Sequence, residues 1–104
     1  MNGMGETVLS RNGIPIRLPD ERWAHIEYEH DDLSGMKNEV LRTVAEPDRI
    51  LAGGEGELLA VRQVEQGKWL VVAYKEISTS DGFVITAHLT RRARQLERRT
   101  VLWP

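Results

Sequence analysis

The chain has 104 residues and a mass of 11.9 kDa, which is enough for one domain with a single hydrophobic core. Hydrophobic residues make up 40% and charged residues 29%, a balance that predicts a soluble globular domain and excludes a disordered tail. The absence of cysteine excludes disulfides, thiolate metal sites and cysteine nucleophiles. No signal-peptide pattern and no apolar run near the ~18 residues that span a bilayer are present, so we expect a cytoplasmic protein with no membrane partner.

The net charge of −2 hides an uneven distribution. Residues 1–57 carry 12 acidic and 6 basic residues, whereas residues 58–104 carry 4 acidic and 8 basic residues. Five of those eight bases lie in the segment RRARQLERR, residues 91–99. This segment is either an anion-binding patch or an arginine-rich end that only contacts solvent.

In chain order, residues 1–17 predict a short hairpin, because Asn12-Gly13 lies between two apolar runs and favours a tight turn. Residues 18–46 predict two helices, one starting at Pro19 or Asp20 and one over about residues 34–45 that ends before Pro47. Residues 49–90 predict antiparallel strands, and residues 91–104 form a basic C-terminal segment. The predicted fold of this single domain, residues 1–104, is α+β: two N-terminal helices packed on one face of an antiparallel meander of about four strands, with a short N-terminal hairpin.

The strand register predicts one polar face of this meander. A four-residue loop at EQGK places Arg62 opposite Val71, and a loop at STSD places Ala73 opposite Thr86. Directly opposed residues share a face. The predicted polar face therefore collects Arg62, Trp69, Val71, Ala73, Lys75, Thr86, His88 and Thr90.

Two interpretations of this polar face stay open. Antiparallel sheets commonly have one solvated side, on which Arg, Lys and Thr are ordinary residues. Alternatively, His88 acts as an acid or base near neutral pH, while Arg62 and Lys75 stabilise a pentacovalent phosphate. Cleavage of RNA by its own 2′-hydroxyl needs those groups and no metal.

The first predicted helix contains the other two histidines, His25 and His30. Ligand pairs on one helix prefer a separation of three or four residues, whereas five residues place these side chains about 140° apart, so we predict no metal site. His30 follows the buried stripe of Trp23, Ile26 and Leu33, and His25 lies at its border. Helices that cover the apolar face of the sheet are expected to present His25, rather than His30, to the polar face.

Four pieces of sequence occur in an order that resembles a known nuclease family. They are LPDERWAHIEYEHDDL, a helix ending in VAEPDRI, and the strands WLVVAYKE and GFVITAHLT. Together they look like the phage and bacterial members of the barnase, EndoU, colicin and RelE-like (BECR) nucleases. The resemblance covers about residues 18–90. It implies a metal-independent ribonuclease, often a toxin or effector, with His25, His30 and Thr86 in the site.

The leading functional hypothesis is therefore metal-independent RNA cleavage by acid/base catalysis. The candidate catalytic residues are His25, His30, Lys75, Thr86 and His88, and the candidate phosphate-binding residues are Arg62, Arg91 and Arg92. We expect no cofactor and no metal, with RNA and an antitoxin or immunity protein as partners. The alternatives are a non-catalytic RNA- or protein-binding module of the same fold, and an adaptor that docks through Trp69 and the VLWP tail.

Overall fold

A computed structural model describes residues 5–104, so residues 1–4 of the predicted hairpin lie outside the described residues. Within that range the chain forms an α+β fold with three α-helices and a 3₁₀ turn at Asp31–Leu33. The helices are α1 (Asp20–Glu29), α2 (Lys37–Ala45) and α3 (Ala93–Glu97). The strands are β1 (Glu6–Leu9), β2 (Pro15–Leu18), β3 (Arg49–Ala52), β4 (Leu58–Glu65), β5 (Lys68–Ser78), β6 (Asp81–Thr90) and β7 (Val101–Trp103).

The prediction of two helices on a four-stranded antiparallel meander is wrong. Over residues 5–104 there is one seven-stranded mixed sheet, in the order β1-β2-β6-β5-β4-β3-β7. Strand β2 joins β6 in parallel at Arg17 and Phe83, and β7 pairs with β3. Both additions are pairings between distant parts of the chain, which a local hydrophobic pattern does not encode. The basic C-terminal segment also contains a helix, α3.

The two longer helices form because their apolar residues recur at helical spacing. Helix α1 follows Pro19, has Asp20 and Glu21 in its first turn and buries Trp23 and Ile26; the two carboxylates are favourable near a helix N-terminus. Helix α2 buries Val40, Leu41, Thr43 and Val44 and is followed by Glu46, immediately before Pro47. None of the helices in residues 5–104 is long and apolar enough to cross a membrane.

A bulge in the hairpin β4–β5 shifts the predicted register by one residue. Glu65 pairs with Lys68 and Gln63 with Trp69, so Val64 is the extra residue. The turn is the pair Gln66-Gly67, in which Gly67 takes a positive φ of 75°, a conformation that glycine adopts without strain. A one-residue shift moves every side chain of a strand to the opposite face.

This shift decides which β4 residues face the helices. Val61 pairs with Val71 and Arg62 with Leu70, so the prediction that Arg62 faces Val71 is wrong. The hairpin β5–β6 keeps the predicted pair Ala73 and Thr86, and bulges nearer its turn place Gly82 opposite Glu76.

The sheet has apolar side chains on both faces. On one face, here called the helix-facing side, Ala60, Leu70, Val72, Tyr74 and Ala87 pack against α1, α2 and β2. On the other face, here called the α3 side, Val61 and Val71 pack with Leu51 and with Leu96 of α3. The predicted polar face is therefore partly apolar and partly covered by α3.

The tip of the N-terminal hairpin reaches two other strands. Ser10 and Asn12 both donate hydrogen bonds to the carboxylate of Glu76 on β5. The guanidinium of Arg11 lies 4.4 Å from the ring centroid of Trp103 on β7. The hairpin therefore contacts both the centre of the sheet and its last strand.

Candidate functional site

A cleft of about 420 Å³ lies on the α3 side of the sheet. Its sheet residues are Leu59 of β4, Val71 of β5 and His88 of β6. Helix α3 and the residues after it supply Gln95, Leu96, Arg98 and Arg99. The cleft therefore combines an apolar floor with an imidazole and two guanidinium groups.

His88 and His30 lie close together beside this cleft, with ring centroids 6.5 Å apart. In the described part of the chain, β2 pairs with β6 at a single position, Arg17 with Phe83, so the later half of β6 has an open outer edge. The end of α1 lies at this edge, and His30 is the residue that follows the helix. The expectation that the helices present His25, rather than His30, to the predicted polar face is therefore wrong.

The environment of His88 favours the neutral imidazole. Desolvation by the surrounding protein atoms lowers the pKa of His88, even though its side chain retains contact with solvent. The charge of His30 lowers this pKa further, while the carboxylate of Asp32 acts in the opposite direction. A neutral imidazole can accept a proton, so His88 has the state that a general base needs.

Arg98 and Arg99 are exposed and follow the buried anchor Leu96. Arg99 lies near the loop between β3 and β4, where Glu57 accepts a hydrogen bond of 2.7 Å from the backbone N–H of Glu55. Backbone N–H groups lower the pKa of Glu57, and the charges of Arg99 and Lys75 contribute to the same shift. The positive charge of the cleft, from Arg98 and Arg99, is therefore continued by Lys75 near the loop between β3 and β4.

The other predicted catalytic residues lie outside the cleft lining. Thr86 is on the α3 side opposite Ala73, two residues from His88 along β6. Lys75 is exposed and shares that side. His25 lies in a separate depression of about 380 Å³ with Pro19, Glu21 and Arg22, and its Nε2 is 3.2 Å from Oε1 of Glu29.

Two of the three predicted phosphate-binding residues, Arg62 and Arg91, form ion pairs within the protein. Arg62 lies on the helix-facing side, where its Nη2 is 2.6 Å from Oε2 of Glu39 and its Nε donates to Thr43 Oγ1 at 3.2 Å. Arg91 is paired with Glu65 at 2.9 Å. Arg92 is exposed, and its backbone N–H donates to the Thr90 hydroxyl. None of the three lines the cleft.

The sequence prediction missed Gln95 and Leu96 as site residues. Arg98 and Arg99 were part of the predicted basic segment, but their position beside His88 was not predicted. The sequence contained one signal for this site. Leu96 is an apolar residue among arginines, which indicates a short helix with one buried side. Its burial on the α3 side of the sheet brings the neighbouring polar residues to His88.

No group of three or more His, Cys, Asp or Glu residues in positions 5–104 has the arrangement of a metal site. In comparisons with known proteins, no family model matches the sequence. No curated protein matches it either, and no solved structure matches the fold.

Proposed function

We propose that this protein is a metal-independent ribonuclease that cleaves RNA by acid/base catalysis at the cleft. The observation that carries the proposal is the pair His30 and His88, with ring centroids 6.5 Å apart, in which His88 lines the same cleft as Arg98 and Arg99. Two imidazoles and two guanidinium groups are the proton-transfer and charge-stabilising groups that this reaction requires. The sequence resemblance to the BECR nucleases supports the same reaction.

In the proposed reaction, neutral His88 removes the proton from a ribose 2′-hydroxyl, and the 2′-oxygen attacks the adjacent phosphorus. The bond from phosphorus to the 5′-oxygen breaks, and His30 acts as the general acid that donates a proton to that leaving oxygen. The products are a 2′,3′-cyclic phosphate and a free 5′-hydroxyl. Arg98 and Arg99 neutralise the charge that develops on the phosphoryl oxygens.

The resemblance further supports a biological role as a toxin or effector. RNA is then the substrate, and an antitoxin or immunity protein is the expected protein partner. Expression in a host cell, with and without the neighbouring gene, tests this role. Growth arrest that requires His88 supports it, and unaffected growth at high expression contradicts it.

Cleavage of a labelled single-stranded RNA in the presence of EDTA tests the catalytic proposal. We expect activity in EDTA, and we expect His30→Asn and His88→Asn each to lower the rate by at least about tenfold, with RNA binding retained. His25→Asn is the comparison variant, because His25 lies in a different depression. Loss of activity in His25→Asn, with full activity in His88→Asn, would move the site to α1. A parent protein that binds RNA without cutting it would support the binding module instead.

A further inference from the structure

Trp69 lies on the α3 side of the sheet, beside the cleft. It pairs with Gln63 of β4 and with Thr90 of β6, and directly opposed residues share a face. Residues two apart on a strand also share a face, so Trp69 lies on the same side as Val71, and Thr90 on the same side as His88. The tryptophan therefore belongs to the surface that carries the proposed general base.

The indole of Trp69 is held in place and is still open to solvent. It packs against the buried cluster that contains Val71 and Leu96, yet its side chain is only partly buried. The other two tryptophans have different surroundings, because Trp23 belongs to the core on the helix-facing side and Trp103 lies under the guanidinium of Arg11. A ring that is already fixed by packing loses little conformational entropy when a ligand stacks on it.

The strand register places Trp69 close to the imidazole of His88. His88 lies two residues before Thr90, which is the partner of Trp69, so Trp69 and His88 are diagonal neighbours on adjacent strands. Residues in that relation are about 7–8 Å apart, a distance that an aromatic side chain can bridge. An RNA strand with one base on Trp69 therefore passes His88 with the same or the next phosphate.

Positive charge flanks this path. Arg49 of β3 lies in the same row across the sheet as His88, and this row continues through one valine of β4 and one valine of β5. The end of α3 adds the guanidinium groups of Arg98 and Arg99. An aromatic ring beside cationic groups is the combination with which proteins bind single-stranded nucleic acids, because the ring stacks on a base while the cations contact the backbone.

We propose that Trp69 is a stacking platform for a base of single-stranded RNA next to the nucleotide that is cut, an inference that rests on the proposed ribonuclease function for its link to cleavage. Every base has a flat π face, so the platform accepts all four bases. The bases of a duplex are stacked on one another and do not offer that face, whereas unstacked bases of a single strand do. The substrate class is therefore single-stranded RNA, bound at this position without selection among the bases.

Two non-cleavable RNA oligomers that differ in the planarity of their bases test the platform. A 2′-O-methyl octamer of uridine has planar bases, and the matching octamer of dihydrouridine keeps the same carbonyl and N–H groups on a saturated, non-planar ring. We expect the parent protein to bind the uridine octamer at least about fivefold more tightly, as measured by fluorescence anisotropy of labelled oligomers. In Trp69→Leu the two octamers should bind equally, because leucine keeps the apolar packing and has no aromatic face.

Trp103→Leu is the matched control and should keep the difference between the two octamers. Quenching of tryptophan fluorescence by the uridine octamer is a second measurement, which does not require Trp69→Leu to fold. We expect similar quenching in the parent and in Trp103→Leu, since Trp69 is the stacking residue in both.

Three results would overturn the inference: equal binding of the octamers by the parent, a difference that survives in Trp69→Leu, or quenching that is lost in Trp103→Leu. No binding of either octamer would also overturn it and would favour the docking of a protein at Trp69.

A cleavage assay separates this inference from the proposed function. Cleavage of single-stranded RNA that requires His88, together with equal binding of the two octamers, refutes the platform and leaves the ribonuclease function standing. Discrimination between the octamers that requires Trp69, together with no cleavage of any RNA, refutes the function and retains the platform.

Discussion

At the scale of single residues, Arg62 and Tyr74 are two polar side chains on the helix-facing side of the sheet, and they differ in their pairing. Arg62 is nearly buried, with a side-chain exposure of 13%, and binds Glu39 and Thr43. The hydroxyl of Tyr74 is buried and has no hydrogen-bond partner within the described residues. A buried polar group without a partner destabilises the folded state.

The first prediction concerns Tyr74. Burial raises the pKa of Tyr74 well above its usual value, so the hydroxyl stays neutral at ordinary pH. Removing it in Tyr74→Phe relieves an unsatisfied group, and we expect a free energy of unfolding that is unchanged or higher by about 1 kcal/mol. Urea unfolding measures this, with Tyr28→Phe as the control because Tyr28 is 84% exposed. A clear loss of stability in Tyr74→Phe would show that the hydroxyl has a partner.

The second prediction concerns Arg62. Arg62→Ala leaves Glu39 without its partner, and the hydrogen bond from Arg62 is the main reason that the pKa of Glu39 is low. Because Glu39 is 43% exposed, the loss is smaller than for a fully buried pair, and we expect about 1–3 kcal/mol. Arg42→Ala is the control, since its pair with Glu46 is exposed and contributes less than about 1 kcal/mol. Unchanged stability with weakened RNA binding would instead support the phosphate-binding role predicted from sequence.

At the scale of elements, two short segments bring the candidate site together. The end of α1 places His30 at the open edge of β6, and α3 places two arginines over the sheet. Helix α3 has five residues and one buried anchor, Leu96. A helix of this length is unstable alone in water, so its packing on the sheet must hold it in place.

The third prediction concerns the histidine pair. The pKa of His88 lies below its ordinary value of 6.5, so the neutral form is lost only when the pH falls below about 6.5. His30→Asn removes a repulsive charge and should raise the pKa of His88, whereas Asp32→Asn removes an attractive charge and should lower it. NMR titration of the imidazole measures both shifts, with Asp31→Asn as the control. No response of His88 to either substitution would contradict the proximity of these groups.

The fourth prediction concerns the arginines after α3. Suppose that Arg98 and Arg99 each contact a phosphate of single-stranded RNA. The slope of the logarithm of the RNA-binding constant against the logarithm of the salt concentration should then be smaller in magnitude by about 1.4 in the double variant Arg98→Gln/Arg99→Gln. The variant Arg22→Gln/Arg42→Gln has the same change in net charge on α1 and α2 and should leave the slope nearly unchanged. Filter-binding at several salt concentrations gives both slopes. A larger effect from the α1 and α2 pair would place the RNA on the helices.

At the scale of the whole molecule, the two ends of the described chain meet through Arg11 and Trp103. The hairpin that carries Arg11 belongs to β1 and β2, whereas Trp103 lies in β7 at the opposite edge of the sheet order. The contact therefore spans the fold from one end of the strand order to the other.

The fifth prediction concerns this contact. A double-mutant cycle with Arg11→Ala and Trp103→Leu should give a coupling energy of about 0.5–1 kcal/mol in urea unfolding, the range for exposed cation–π pairs. Arg11→Lys should retain less than half of the coupling, because an ammonium group does not stack on the indole as a guanidinium does. Additive effects of the two substitutions would show that the contact contributes nothing to stability.

The local elements and the chemical groups follow from the order of residues along the chain. Proline and aspartate at the start of α1, the proline after α2 and the glycine turns are short-range effects, so these boundaries follow from neighbouring residues. The apolar runs WLVVAY and FVITAHL likewise indicate β5 and β6, and the charge distribution indicates the basic end. His30, His88 and the arginines of residues 91–99 were all recognisable as candidate functional groups.

Which of those groups meet depends on contacts between elements that are distant in the chain. A bulge of one residue at Val64 turned Arg62 to the helix-facing side and Val61 to the α3 side. The position of this bulge depends on how the whole strand packs rather than on the conformational preferences of the residues in it. The parallel pairing of β2 with β6 left an open edge for His30, and the burial of Leu96 brought Gln95, Arg98 and Arg99 to His88. These are contacts between residues far apart in the chain, and their energies depend on the packing of both partners, which a single sequence does not display.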